Sequence, residues 1–388
     1  MNSIHLHPGR ERRILQGHRW VFSNEIADQL PDYEPGSWVE VFSAKGAPLG
    51  SGYINPASLI SVRLVCPPGH KPDADFFREA MLRAARYREA VYPGSECHRL
   101  IFGESDGLPG LVVDRYADVL AYQIGTLGMA KLEPLLLDLM SEVFRPSAVI
   151  FRNDTSSRSI EGLPLDKGVA LGNLPDKHVV RIGDIVYEVD LLEGQKTGMY
   201  LDQRDNREAL RRLARGRRVL DLFCYNGAWS LSAAAGGASE TVGVDGSARA
   251  VEQARKNALL NNFEDRCSFT AGDVFDYLKK VRPGHFDIIV LDPPAFAKTK
   301  SALSVARKGY MDLNRRALLA LKPGAFLITC SCSYHMGEEL FREALLAAGQ
   351  ASGRSLRLVQ VKGQALDHPA LLSMPETRYL KCFVMEVI

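Results

Sequence analysis

Cys330 and Cys332 stand one residue apart at the end of an apolar run from Ala325 to Thr329. Cysteine is an intrinsically strong nucleophile wherever its surroundings favour the thiolate. If the run continues extended through the pair, both thiols share a face, and alternation does not choose between them. Position favours Cys332, which lies farther past the strand end, where ligands gather in α/β sheets. The inert alternative is a packed strand cysteine, a common fate for this residue. That alternative suits Cys330, and also Cys224. A second chemical group stands at the end of the apolar run Phe286–Leu291, where Asp292 is followed by Pro293 and Pro294. Two prolines stop a strand abruptly and stiffen the loop that presents the acid. A carboxyl group held beside a thiol is suited to proton transfer or to polarising a bound ring.

More acids recur at the ends of other apolar runs. Asp221-Leu-Phe-Cys-Tyr-Asn-Gly227 closes one run, Asp245 closes the next, eighteen residues after Gly227, and Gly272-Asp273-Val274 closes a third. An acid at that distance accepts hydrogen bonds from ribose hydroxyls. One strand further, Asp273 is placed to take an adenine amino group. Gly227 allows close backbone approach. With no GxGxxG around it, a nicotinamide cofactor is disfavoured. The bland reading of each acid is a helix N-cap, but three successive strand ends carrying one favour a nucleoside site.

These residues need a scaffold of alternating strands and helices, and the second half of the chain supplies the pattern. Apolar strands are expected at 218–223, 241–244, 286–291 and 325–329, with helices near 228–235, 249–261 and 310–321. Such alternation specifies βαβ units and a doubly wound parallel sheet. Residues 1–72 differ in texture, with short apolar runs at 38–42, 49–53 and 59–65 separated by glycine and proline, as in a small β-barrel. Residues 73–185 read as a compact α+β unit with helices from Asp73 and over 129–144. Residues 186–388 hold the sheet just described.

Composition sets the outer limits. The chain has 388 residues and a formal net charge of +2, so a nucleic-acid surface must be a local patch. Two basic concentrations qualify: Arg10, Arg12, Arg13, His18 and Arg19 on a first helix beside Trp20 and Phe22, and the arginines from Arg204 to Arg218. Basic groups interleaved with aromatics suit RNA, although charge runs are more often solvated faces. The seven cysteines form no CxxC pair, which speaks against a zinc site and for reduced thiols in the cytoplasm. No membrane span and no secretory signal are expected.

The segments Gly194–Arg207, Asp221–Gly227, Leu291-Asp-Pro-Pro-Ala-Phe296 and Ser331-Cys-Ser-Tyr-His335, in this order and spacing, resemble the bacterial large-subunit ribosomal RNA methyltransferase I family. His18–Phe22 and Gly36–Arg63 resemble that family's N-terminal PUA domain, and Phe102–Gly110 its linking domain. Ala228 departs from the pattern, since relatives often carry a second glycine there. The resemblance implies a Rossmann-like class I methyltransferase domain behind an RNA-binding PUA barrel and a middle α+β domain. It implies S-adenosylmethionine as cofactor, held by Tyr200, Asp202, Arg204, Asp221, Phe223, Tyr225, Gly227, Asp245, Asp273, Val274 and Asp292. It also implies 23S ribosomal RNA as partner, touched by Arg10, Arg12, Arg13, Arg19 and Lys298, with no metal and with oligomeric state open, a homodimer included. Carbon 5 of cytosine is a poor nucleophile, and a thiolate adding to carbon 6 activates it. The family motif assigns that thiolate to Cys332, with Asp292 at ring nitrogen 3, while Thr329-Cys330-Ser331 resembles the cysteine motif of another group of RNA cytosine methyltransferases. His335 is placed at the surface or beside the thiol. Competing classes are a methyltransferase of guanine or a small molecule and a non-catalytic RNA-binding assembly factor.

Overall fold

The computed structural model describes residues 2–297 and 299–388, the Lys300 side chain excepted. The chain gathers into two compact units, Met1–Val180 with Val189–Leu201 and Leu366–Arg378, and Arg181–Glu188 with Asp202–Ala365 and Tyr379–Ile388.

The first unit contains two five-stranded sheets. The N-terminal sheet runs in the order Asn2–His5, Trp38–Phe42, Pro48–Ile54, Ile60–Cys66, Trp20–Phe22. Its inward-facing Ile4, Val21, Val39 and Val41 alternate with exposed or half-buried neighbours, and with Ile54 and Val62 they form one core. The helix expected across the first basic cluster is a single turn, Arg12–Leu15. Gly17, at φ +94°, ends it, and Trp20–Phe22 is a strand. The middle sheet places Val119–Ile124 at its centre and packs against the helices Ala74–Val91 and Glu133–Phe144. Asp73 caps the first of these by accepting from the amide of Phe76 at 2.9 Å, satisfying one orphan donor of the first turn. The helix expected over 129–144 is interrupted. Leu127–Ala130 forms one turn, and a new helix starts at Glu133 with Pro134 in its first turn, where the missing N–H costs nothing.

The second unit is built on a seven-stranded sheet. After α1 (Arg204–Leu213) the elements run β1 (Arg218–Leu222), α2 (Ala228–Ala235), β2 (Glu240–Asp245), α3 (Ala248–Leu260), β3 (Cys267–Ala271), α4 (Val274–Lys280), β4 (Ile288–Leu291), α5 (Leu303–Ala320), β5 (Phe326–Ser331), α6 (Glu338–Ser352), β6 (Leu356–Lys362) and β7 (Lys381–Val387). The strand order is β3-β2-β1-β4-β5-β7-β6, with β7 antiparallel to both neighbours. The doubly wound sheet anticipated from the alternating pattern is therefore present. Alternate residues of each strand serve opposite faces. Leu220, Leu222, Ile289, Leu291 and Leu327 pack against α4, α5 and α6. Val219, Ile288, Val290, Ile328 and Cys330 pack against α1 and α2. Strand order reverses between β1 and β4, and the crevice at their carboxyl ends is where such sheets bind ligands.

Candidate active site

β1 delivers Asp221 to that crevice, fully buried on the face shared with α1 and α2. Its Oδ2 accepts from the amide and the hydroxyl of Ser230, at 3.0 and 2.8 Å, and its Oδ1 has no partner among the described residues. Burial, reinforced by the charges of Asp292 and Asp245, pushes the carboxyl up to about 7. The loop after β1 holds Phe223, Tyr225 and Gly227 at φ +65°, +47° and +82°. Two non-glycine residues in the left-handed region within one loop are strained, as backbones at binding sites often are. Gly227 is required for a reason that spacing alone does not reveal. A Cβ there would lie 3.0 Å from Ala254 and from the Phe269 ring, so glycine also serves the packing of the first turn of α2.

Asp245 ends β2 with both carboxylate oxygens engaged, Oδ2 by the amide of Tyr225 and Oδ1 by that of Ser247, at 2.9 and 2.8 Å. These bonds fix the carboxylate beside the Phe223–Gly227 loop. Ser247, and not Asp245, caps α3. Asp273 does cap α4, accepting from the amide of Asp276 through Oδ1. Its side chain is exposed, whereas Val274, the first residue of α4, is buried. The capping reading is thus correct for Asp273, and it engages only one of the two oxygens.

Asp292 follows β4 and is held on both sides. Gln203 donates from Nε2 to Oδ1 at 2.9 Å and Trp229 donates from Nε1 to Oδ2 at 3.0 Å. Gln203 is itself oriented by Asn206, whose amide also reaches the carbonyl of Gly363. Beside β4, the last register pair with β5 is Leu291 with Thr329, so Cys330 comes level with Asp292 and Cys332 follows farther along the chain. Cys330 is inside β5, fully buried, with its thiol pushed far above its ordinary value by burial and by Cys382 opposite it. Cys332 lies just past Ser331, the last residue of β5, and is half-buried, whereas the other six cysteines are buried.

Comparison with known proteins matches residues 169–370 to the S-adenosylmethionine-dependent methyltransferase family and residues 4–67 to a PUA-like domain. The chain is 40% identical to ribosomal RNA large subunit methyltransferase I of Shewanella denitrificans and 37% identical to that of Cronobacter sakazakii, covering 99% and 98% of each chain. The chain belongs to this family. Among solved structures, a putative methyltransferase complexed with SAH shares the fold over 100% of both chains, with a TM-score of 0.87 at 22% identity. A putative SAM-dependent methyltransferase from Streptococcus mutans does so with a TM-score of 0.85 at 21% identity.

The cofactor of this methyltransferase family is S-adenosylmethionine, and the crevice fits it. The ligand carries a sulfonium, an ammonium and a ribose diol, and the strand ends present three acids. One of them, Asp221, has a buried oxygen without a partner among the described residues. Cβ atoms built on Gly246 and Gly272 would meet nothing within 4 Å, so the backbone beside Asp245 and Asp273 is open. Of the other residues expected to hold the cofactor, Asp202 is buried and accepts from the hydroxyl of Tyr379. Arg204 begins α1 and lines a cavity of about 180 Å³ with Tyr187, Arg207, Arg211 and Ser232. Phe223 packs against the core on the α4–α6 face. Tyr200 belongs to the first unit, where its hydroxyl donates to Gln195 and Lys196 stands over its ring.

The basic residues expected at RNA divide sharply. Arg10 and Arg12 are exposed. Arg13 forms a two-toothed ion pair with Glu25, at 2.7 and 2.9 Å. Arg19 is largely buried, and desolvation lowers its affinity for the proton. His18 is buried against Glu376, and Trp20 donates to Glu104. In the second cluster Arg211 pairs with Asp184 and Arg217 stands over Phe326. Lys298 lies outside the described residues. His335 is half-buried, edge-on to Tyr334. Sequence reasoning missed Gln203, Trp229 and Lys381. Lys381 had a visible signal, a cation inside the otherwise apolar run Leu380–Met385.

Proposed function

We propose that this chain methylates carbon 5 of a cytosine in 23S ribosomal RNA, through a covalent bond between Cys332 and carbon 6 of the base. The observation that carries the reading is the contrast within the cysteine pair. Cys330 is sealed in β5 with a disfavoured thiolate, whereas Cys332 stands half-buried past the strand end, beside Ser333, whose hydroxyl accepts from the amide of Ala297 in the loop after Asp292. Large-subunit RNA as substrate rests on the names of relatives that match the chain end to end, and RNA contact on the PUA-like domain.

Bound S-adenosylmethionine supplies an electrophilic methyl group on sulfur. Asp245 would accept the ribose hydroxyls, Asp273 and the amide of Val274 would take the adenine edge, and Asp221 would face a cationic end. The Phe223–Gly227 loop, with Tyr225, would shape the wall between them, and Asp202 and Arg204 would complete the set. Asp292, fixed by Gln203 and Trp229, faces cytosine nitrogen 3 and shares a proton with it, because that nitrogen is itself an acceptor. The Cys332 thiolate adds to carbon 6 and displaces an electron pair onto carbon 5, which would take the methyl group as the sulfur–methyl bond breaks and its electron pair stays on sulfur. Loss of the carbon-5 proton to a base then returns an electron pair to the ring and expels the thiolate.

RNA carrying 5-fluorocytosine at the target tests this. Fluorine cannot leave as a cation, so the wild-type enzyme should be trapped as a denaturation-stable adduct. Cys332→Ala should lose both adduct and turnover, and Cys330→Ala should keep both. Normal methylation by Cys332→Ala would overturn the cytosine reading in favour of another RNA base.

A further inference from the structure

We propose that Lys381 is a positioning residue whose buried ammonium stabilises the Cys332 thiolate. The inference rests on the reading of Cys332 as nucleophile. In the register of β5 with β7, Lys381 stands opposite Ser331, the residue before Cys332. Its Nζ donates to the carbonyl of Ser333, the residue after Cys332, at 2.7 Å, and to the carbonyl of Tyr379 at 2.8 Å. The cation is therefore held at the carbonyl that follows the cysteine, one residue from the thiol along the chain. It is 5% exposed, so water does little to screen it. Taking a lysine out of water carries a large desolvation cost, and two backbone carbonyls are a modest return for stability alone. A cation beside a thiol favours the thiolate.

Neighbouring elements place other titratable groups around this turn, and His335, half-buried three residues after Cys332, is the described one that is also able to carry a positive charge. Tyr310, from α5, hydrogen-bonds the Ser333 hydroxyl at 3.1 Å, and burial keeps its phenol protonated. Cys330 and Cys382 are buried thiols in β5 and β7. Asp292, beyond β4, is bound by Gln203 and Trp229, and Asp202, before α1, by Tyr379. These two carboxylates oppose a thiolate. Lys381 offsets them, which also explains a charged residue in the interior strand of the sheet.

Alkylation with iodoacetamide as a function of pH reads the Cys332 thiol directly, because the other six cysteines are buried and Cys332→Ala provides the background. In the wild-type protein the midpoint should lie below the ordinary thiol value of about 8.5. Lys381→Met should raise that midpoint and slow alkylation at pH 7 about tenfold, with S-adenosylmethionine binding retained. Lys381→Arg, which keeps the charge, should restore most of the rate. A wild-type midpoint at or above the ordinary value would overturn the proposal even if Lys381→Met failed to fold. So would an unchanged midpoint in a folded Lys381→Met protein. Failure of the nucleophile reading is separately visible, since it removes the 5-fluorocytosine adduct without altering the thiol's titration.

Discussion

At the scale of single residues, the site is a set of acids given different jobs by their surroundings. Asp245 and Asp292 each have both oxygens engaged by N–H donors, which fixes their direction. Asp221 keeps one oxygen without a partner among the described residues, in a buried position, and is pushed up to about 7. That difference predicts a pH dependence of cofactor binding. The ionised carboxylate is the form that attracts a cation, so binding must pull the Asp221 proton off. S-adenosylmethionine affinity should therefore be full above pH 7 and should fall as pH drops below it. Near pH 6, binding should release close to one proton, seen by calorimetry in two buffers of different ionisation heat. Asp221→Asn should bind weakly with no such slope. A wild-type affinity flat between pH 5.5 and 8 would place Asp221 away from any cationic end of the ligand. The acids themselves were legible from strand-end spacing. Their partners were not, because Gln203 and Trp229 reach Asp292 from distant points in the chain, and no periodicity marks a side chain that donates across a sheet.

At the scale of elements, β1, β2, β4 and β5 were readable because both faces of a central parallel strand are buried, which writes a continuous apolar run into the sequence. Their ends were less so. β5 continues to Ser331, two residues past the expected boundary, and this extension is what separates the two cysteines, sealing Cys330 and leaving Cys332 half-buried beyond the strand. The break at Pro134 and the one-turn helix Arg12–Leu15 were hidden for a similar reason, since helical spacing extends through a cap that only backbone geometry reveals. The turn into α2 gives this scale its prediction. Gly227 combines φ +82° with approaches of 3.0 Å that a Cβ would make to Ala254 and Phe269. Gly227→Ala should destabilise the protein by about 1–3 kcal/mol, from backbone strain and overpacking together. It should also shift the Phe223–Gly227 loop, so cofactor affinity falls with the melting temperature. The control is Gly246→Ala, at an open position, which should leave the melting temperature nearly unchanged. Equal losses in the two variants would mean that local crowding is not the cause.

At the scale of the whole molecule, a net charge of +2 leaves any electrostatic attraction to RNA to a few exposed side chains, and the structure narrows which ones. Removing the N-terminal sheet would be a poor test of this. Tyr53 and Val65 belong to the core that the middle sheet and its helices share, and the Tyr53 hydroxyl donates to the carbonyl of Pro109 at 2.6 Å. Point changes in the intact chain avoid that disruption. Arg10 and Arg12 are exposed, while Arg13 is committed to Glu25. Every phosphate that is no longer neutralised should lower the steepness of log affinity against log salt by about 0.7–0.9. Replacing Arg10 and Arg12 together by alanine should therefore flatten that plot for a structured ribosomal RNA fragment by about 1.4–1.8, with an unchanged melting temperature. Arg13→Ala should do the opposite, lowering the melting temperature because Glu25 loses its partner in a buried position, with little change in slope. Filter binding across a salt series, alongside thermal melts of the same preparations, separates the two outcomes. If the double variant keeps the wild-type slope, the exposed arginines are a solvated face, and RNA attraction has to come from other side chains of the molecule.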